Sequence, residues 1–137
     1  MEYFSYSVED TQRLAVELAK DIKGGEIILL EGDLGAGKTT FTKAFAKALG
    51  VTANVTSPTF TFMKEYFGKF PIYHFDMYRV SDEDELYELG LNEYLESKDG
   101  VCVIEWNKFR NISKPIISLK IERINENARK ITVSGRI

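Results

Sequence analysis

The residues with the clearest chemical capacity lie in one short stretch. Gly32-Asp33-Leu34-Gly35-Ala36-Gly37-Lys38-Thr39 fits the pattern Gly-x-x-x-x-Gly-Lys-Thr over its full length. Glycines at these places let the backbone curl around phosphate oxygens where side chains would collide. Successive N–H groups then point inward as an anion nest, and the start of the next helix adds its own unpaired donors and dipole. This chemistry suits a nucleoside triphosphate with Mg²⁺. Lys38 is expected to reach the β- and γ-phosphates, and the Thr39 hydroxyl to ligate the metal. Thr40 adds a contact near the α-phosphate. Asp33 shapes and caps the loop rather than acting as a ligand.

A metal–triphosphate site usually takes a second anchor from the end of a neighbouring buried strand. Glu105 directly follows the apolar run Val101-Cys102-Val103-Ile104. Its carboxylate is expected to hold the metal or a water bound to it. Asp76 stands in His74-Phe75-Asp76-Met77-Tyr78-Arg79. Strict alternation places His74, Asp76 and Tyr78 on one face, with Phe75 and Met77 toward the core. Asp76 has three open roles: a base positioning water, outer support for Mg²⁺, or an ion pair with Arg79. His74, the single histidine, reads as a structural hydrogen-bonding residue. Arg79 reaches either phosphates, a partner or a carboxylate. Thr59, in Thr56-Ser57-Pro58-Thr59, is a candidate γ-phosphate sensor in a switch segment. Trp106 is a candidate rim or floor of the pocket.

The surrounding pattern contains the elements needed to position these groups. Residues 3 to 8 suit a short strand. Ser7 and Asp10 mark a helix start, and Leu14, Ala15, Leu18, Ala19 and Ile22 recur at helical spacing up to Gly24-Gly25. Ile27 to Leu30 is a strand buried on both faces, and an alanine-rich helix follows from about Lys38 to Leu49. Thr59 to Phe62 alternates, Ile72 to Tyr78 is β-prone, and Gly68-Lys69 turns between two strands. Short helices broken at Gly90 fill residues 82 to 97. Ile116 to Ile121 and Ala128 to Val133 form a closing hairpin. The expected class is α/β: a P-loop NTPase-like three-layer sandwich whose mixed central sheet has parallel core strands and antiparallel additions, in a single domain over residues 1–137.

The 137 residues carry a formal net charge of -3, with 44% hydrophobic and 28% charged residues. That balance excludes gripping nucleic acid by bulk charge, while leaving room for a local basic patch. Cys102 is the one cysteine, inside an apolar run, so it reads as core. No leader or membrane segment is read, and a cytoplasmic, membrane-free protein is expected. Asn107-Lys108-Phe109-Arg110 begins like a guanine reader but ends in arginine, which cannot accept from guanine. ATP is therefore favoured over GTP. The six arginines form no lid cluster, which argues against a kinase of a small molecule. A small ATPase or a nucleotide-dependent regulatory binding module remains.

The sequence resembles the TsaE family, also called YjeE, of bacterial ATPases in tRNA threonylcarbamoyladenosine biosynthesis. Five blocks carry the resemblance: the loop and Thr40, Ser57-Pro58-Thr59-Phe60, Tyr73 to Arg79, Glu88-Leu89-Gly90-Leu91 and Ile104-Glu105-Trp106. The resemblance implies ATP hydrolysis with Mg²⁺, and ADP as product. It implies a need for this activity in threonylcarbamoylation of adenosine 37 in tRNA. The group itself is not transferred here; the implied role is docking on the TsaB–TsaD pair and resetting it, with tRNA met indirectly. Lys38 then falls on phosphate, Thr39 and Glu105 on Mg²⁺, Asp76 on a position important for hydrolysis, Thr59 on a switch-like segment, and Trp106 beside the nucleotide. Asn107 stands where many relatives have proline or alanine, which puts only local loop shape in doubt.

Overall fold

In the computed structural model, residues 1–33, 36–58 and 61–135 are described. Eleven elements follow one another: β1 (Glu2–Ser5), α1 (Val8–Lys20), β2 (Ile27–Glu31), α2 (Lys38–Ala48), β3 (Met63–Phe67), β4 (Pro71–Asp76), α3 (Glu83–Glu88), α4 (Asn92–Leu95), β5 (Val101–Glu105), β6 (Ile116–Arg123) and β7 (Arg129–Gly135). The strands form one sheet in the order β1-β7-β6-β2-β5-β4-β3. Pairings among β6, β2, β5 and β4 are parallel, and those at both flanks are antiparallel. The expected α/β class and mixed sheet are therefore present, with antiparallel additions on both sides of the parallel core.

Alternation along the core strands supplies two apolar faces. Ile28, Leu30, Ile72, Val101 and Val103 pack in one cluster with Leu14 and Ala15 of α1 and Phe41 and Phe45 of α2. Ile27, Phe75, Cys102 and Ile104 enter the other cluster with Leu86 of α3, Leu95 of α4 and Phe109. The layers are thus helix, sheet, helix. The Ser7 hydroxyl accepts from the Asp10 N–H at 3.1 Å, so the helix start read from these residues is real. Glu9 and Asp10 add negative charge at the positive end of α1.

Three expected boundaries differ. The first strand ends at Ser5 rather than at residue 8, because Ser7 caps α1 and Val8 already opens that helix. α1 ends at Lys20, before Gly24-Gly25. The Asp21 N–H folds back to the Leu18 carbonyl at 3.3 Å, tightening the last turn, and Ile22 remains buried beyond it. The alternation read at Thr59 to Phe62 is not a strand over its described part. The Thr61 N–H bonds the Pro58 carbonyl at 3.0 Å in a turn, Phe62 takes a φ of 64°, and β3 starts only at Met63. The expected hairpin around Gly68-Lys69 does form, with Phe67 opposite Pro71.

Candidate functional site

The parallel strands β2, β4 and β5 end along the same edge of the sheet. Register pairs Leu30 with Glu105 and Asp76 with Glu105, so the two acids are side by side on neighbouring strand ends. Open α/β sheets present ligand crevices at this edge, beyond the carboxyl ends of their strands. The loop leaving β2 delivers Lys38 here as the first residue of α2.

Backbone demands explain the loop's glycines. Gly32 has φ 155°, and a Cβ there would lie 2.7 Å from the Ile121 carbonyl oxygen and 3.2 Å from the Ala36 Cβ. Gly37 precedes α2 in the left-handed region with φ 113°. A Cβ on Gly37 would meet no heavy atom within 4 Å among the described residues, so the requirement there is conformational. The Ala36 N–H donates to the Asp33 carbonyl at 3.0 Å, and the Phe41 N–H to the Gly37 carbonyl at 3.0 Å. The Arg129 Nε donates to the Ala36 carbonyl at 2.8 Å, while its Nη1 reaches the Asn125 and Ala128 carbonyls. One guanidinium therefore ties the β6–β7 turn to the loop.

Lys38 and Glu105 form the centre. Their Nζ and Oε1 are 3.7 Å apart, with side chains only 6% and 7% exposed. The other carboxylate oxygen accepts from the His74 Nε2 at 2.6 Å, and His74 is itself 1% exposed. Its Nδ1 has no hydrogen-bond partner among the described residues. Trp106 turns sharply at φ 55° and lays its ring 4.3 Å from the Lys38 Nζ, within cation–π range. Tyr78 packs edge-on against Trp106, with centroids 5.1 Å apart. Asp76 is buried, and its Oδ1 accepts the Tyr78 N–H at 3.0 Å.

His74 and Asp76 share a face with Glu105, and Phe75 and Met77 are fully buried on the opposite one. Tyr78 lies past the strand, exposed, and takes the Trp106 ring instead of continuing that row. Glu105 is buried, so its carboxylate faces the interior of the site rather than solvent. Thr39 is exposed on the first turn of α2. Thr40 is half-buried beside Gly37, Ser7 and Arg129 around a cavity of about 100 Å³. Arg79 sits exposed in the turn after β4. Leu34, Gly35 and the switch candidate Thr59 lie outside the described residues. Two features had no sequence signal: the Arg129 clamp, made 93 residues from Ala36, and the His74–Glu105 bond, made across 31 residues.

The space at this edge suits a polar ligand. One cavity of about 380 Å³ is lined by Leu30, Gly32, Lys38, Trp106 and Asn107. A second of about 600 Å³ shares Gly32 and Trp106 and continues to Lys120 and Arg123. Both lie in the size range of small-molecule clefts. Among the described residues no group of three or more His, Cys, Asp or Glu could hold a metal by itself. Asp76, Glu105 and the Thr39 hydroxyl are hard oxygen donors of the kind Mg²⁺ takes. Such sites normally add oxygens from substrate phosphates and water, so the donor set fits a metal carried in with a nucleotide.

A parallel core, a glycine-bearing loop that opens a helix, and charged groups at the strand ends define a P-loop NTPase-like α/β protein. The family model described as threonylcarbamoyl adenosine biosynthesis protein TsaE matches residues 5–131. A Bacillus subtilis tRNA threonylcarbamoyladenosine biosynthesis protein TsaE is 44% identical over 138 residues, covering 98% of this chain and 85% of the relative. Its Aquifex aeolicus counterpart is 45% identical over 131 residues, covering 93% and 90%. The crystal structure of Bacillus subtilis YdiB superposes with a TM-score of 0.80 at 38% identity, covering 98% of this chain and 84% of that one. The chain belongs to the TsaE family.

Proposed function

We propose that residues 1–137 act as a single, cytoplasmic, Mg²⁺-dependent ATPase domain required for threonylcarbamoylation of adenosine 37 in tRNA. It acts on the TsaB–TsaD pair and does not transfer the group itself. Membership in the TsaE family supports the pathway, and the names of the relatives point the same way. The observation that carries the nucleotide chemistry is the buried Lys38–Glu105 pair at the mouth of the loop, 3.7 Å apart. An incoming triphosphate competes with Glu105 for Lys38, and Lys38 then binds the β- and γ-phosphates. Glu105 keeps its His74 bond and presents its freed oxygen, with the Thr39 hydroxyl, as a metal ligand. Mg²⁺, when bound, would neutralise charge on the phosphates. Asp76 sits one strand over, where it orients water or supports Glu105. Trp106 and Tyr78 exclude solvent from one side of Lys38. ADP and phosphate are the products, and turnover is slow until the partner pair completes the site.

Reconstituted tRNA modification with the partner pair tests this over repeated cycles, using Lys38→Ala, Asp76→Ala and Glu105→Gln. Lys38→Ala is expected to weaken nucleotide binding. Either acid substitution is expected to reduce hydrolysis more than affinity. Wild-type behaviour by all three variants overturns the ATP-coupled reading, and vigorous hydrolysis unaffected by the pair overturns the regulatory part.

A further inference from the structure

The outer surface of α1 and α2, away from the phosphate loop, has a charge distribution unlike the chain as a whole. A groove of about 720 Å³ runs between the two helices and ends at the β3–β4 turn. Val16, Ala44 and Leu49 contribute to its floor, and Val16 is 39% exposed. Lys20, Lys43, Lys47 and Lys69 line it from three separate parts of the fold. A second hollow of about 530 Å³ lies across Lys43 and Lys47 and is otherwise lined by residues 50 to 55. Among the described residues no aspartate or glutamate lines either hollow, although the chain has 21 of them and a net charge of -3. Lys20 is paired with Glu17 at 2.9 Å; among the described residues neither Lys43 nor Lys47 forms an ion pair with a carboxylate.

We propose that this groove docks an acidic amphipathic helix of a partner protein. The apolar floor takes the partner helix's hydrophobic stripe, and the lysine rim pairs with carboxylates flanking it. A phosphodiester backbone matches less well: it has no use for an apolar floor, and among the described residues no aromatic ring lines the groove for stacking bases. Lys43 and Lys47 are four residues apart on α2, so they face the same side of the occupant. They are exposed and stand clear of the loop, so their substitution leaves the nucleotide site intact. The partner is assigned to the TsaB–TsaD pair only through the function proposed above; the groove chemistry rests on the lysines and the floor.

The test uses the full chain, purified TsaB–TsaD and, separately, tRNA. The K43E/K47E form is expected to bind the pair at least tenfold more weakly than wild type at low salt, with unchanged basal ATP hydrolysis. K43R/K47R is expected to bind like wild type. A zero-length carboxyl-to-amine cross-linker is expected to join Lys43 or Lys47 to acids on one helix of the pair. Equal binding by wild type and K43E/K47E overturns the groove while leaving the pathway reading in place. Loss of tRNA binding with retained pair binding makes it a nucleic-acid surface and also overturns the proposal. Failure of wild type itself to bind the pair overturns the functional reading and the partner assignment together.

Discussion

Replacing Glu105 with leucine removes the partner of two buried groups at once. The Lys38 ammonium is 3.7 Å from one carboxylate oxygen and His74 is 2.6 Å from the other. Breaking a buried ion pair from one side costs about 3–5 kcal/mol, because the remaining charge is left uncompensated. Leaving the His74 Nε2 without an acceptor adds about 1–3 kcal/mol. The two costs overlap, since Lys38 can shift under Trp106 toward the adjoining cavity, so a net loss of about 3–5 kcal/mol is expected for Glu105→Leu. Lys38→Met alone should cost less, because Glu105 keeps its bond to His74. The double variant Lys38→Met/Glu105→Leu removes both charges and should be more stable than Glu105→Leu by about 1–3 kcal/mol. Urea unfolding of the nucleotide-free protein, with slopes compared across the four forms, measures all of these. A Glu105→Leu form within about 0.5 kcal/mol of wild type would refute the buried-pair reasoning. Additivity of the two single effects within about 0.5 kcal/mol would refute the coupling.

Three further outcomes are expected. Gly32→Ala and Gly37→Ala both incur backbone strain of about 1–3 kcal/mol, but only Gly32→Ala also collides with the Ile121 carbonyl. Its melting temperature should fall below that of Gly37→Ala, by about 4 °C for each kcal/mol of difference; equal melting points would contradict the packing described. Arg129→Ala removes the bond to the Ala36 carbonyl and should weaken nucleotide binding by roughly one order of magnitude, the weight of a charge-assisted hydrogen bond, as read by titration calorimetry. Burial pushes the Cys102 thiol up from 9.0 to about 12, with Lys114 opposing. The unfolded chain ionises first, so the stability tied to the protonated thiol is complete below pH 9.0 and declines as pH rises toward 12. Cys102→Ala should therefore lose less stability than wild type as pH rises above 9.0 in urea unfolding; parallel curves would sink this account.

Local pattern was enough to place the strand at Ile27, the helix opening at Lys38 and the acid closing β5. Each depends on near neighbours in sequence: an apolar run, a glycine-bearing loop, a helical repeat. The partnership of His74 with Glu105 depends instead on β4 lying beside β5, and strand order is a property of the whole sheet. Arg129 was visible only as one of several arginines near a hairpin, because its acceptor is a backbone carbonyl on another element. Phe62 misled in the other direction. Alternation around it matches a strand, but the turn set at Pro58 and the left-handed backbone at Phe62 delay β3 to Met63. The lysine-rimmed groove was likewise hidden by composition, since a net negative chain can still gather cations from α1, α2 and a distant turn.

The position of β7 has a consequence for the protein's birth on the ribosome. Among the described residues β1 is bonded in the sheet only to β7, and the Met1 amine also donates to the Val133 carbonyl at 3.0 Å. β1 is therefore made before the strand it pairs with and waits for it. At translation speeds of about 5–20 residues per second, that wait is on the order of ten seconds. Throughout it the backbone of residues 2 to 5 has no sheet partner. Four residues make a short template for mispairing, and Tyr6 and Val8 just beyond them are exposed even in the finished fold. A nascent chain stalled before residue 129 would lack the partner strand and the guanidinium that holds the phosphate loop. Pairing of β1 and completion of the loop's support thus both await the synthesis of β7.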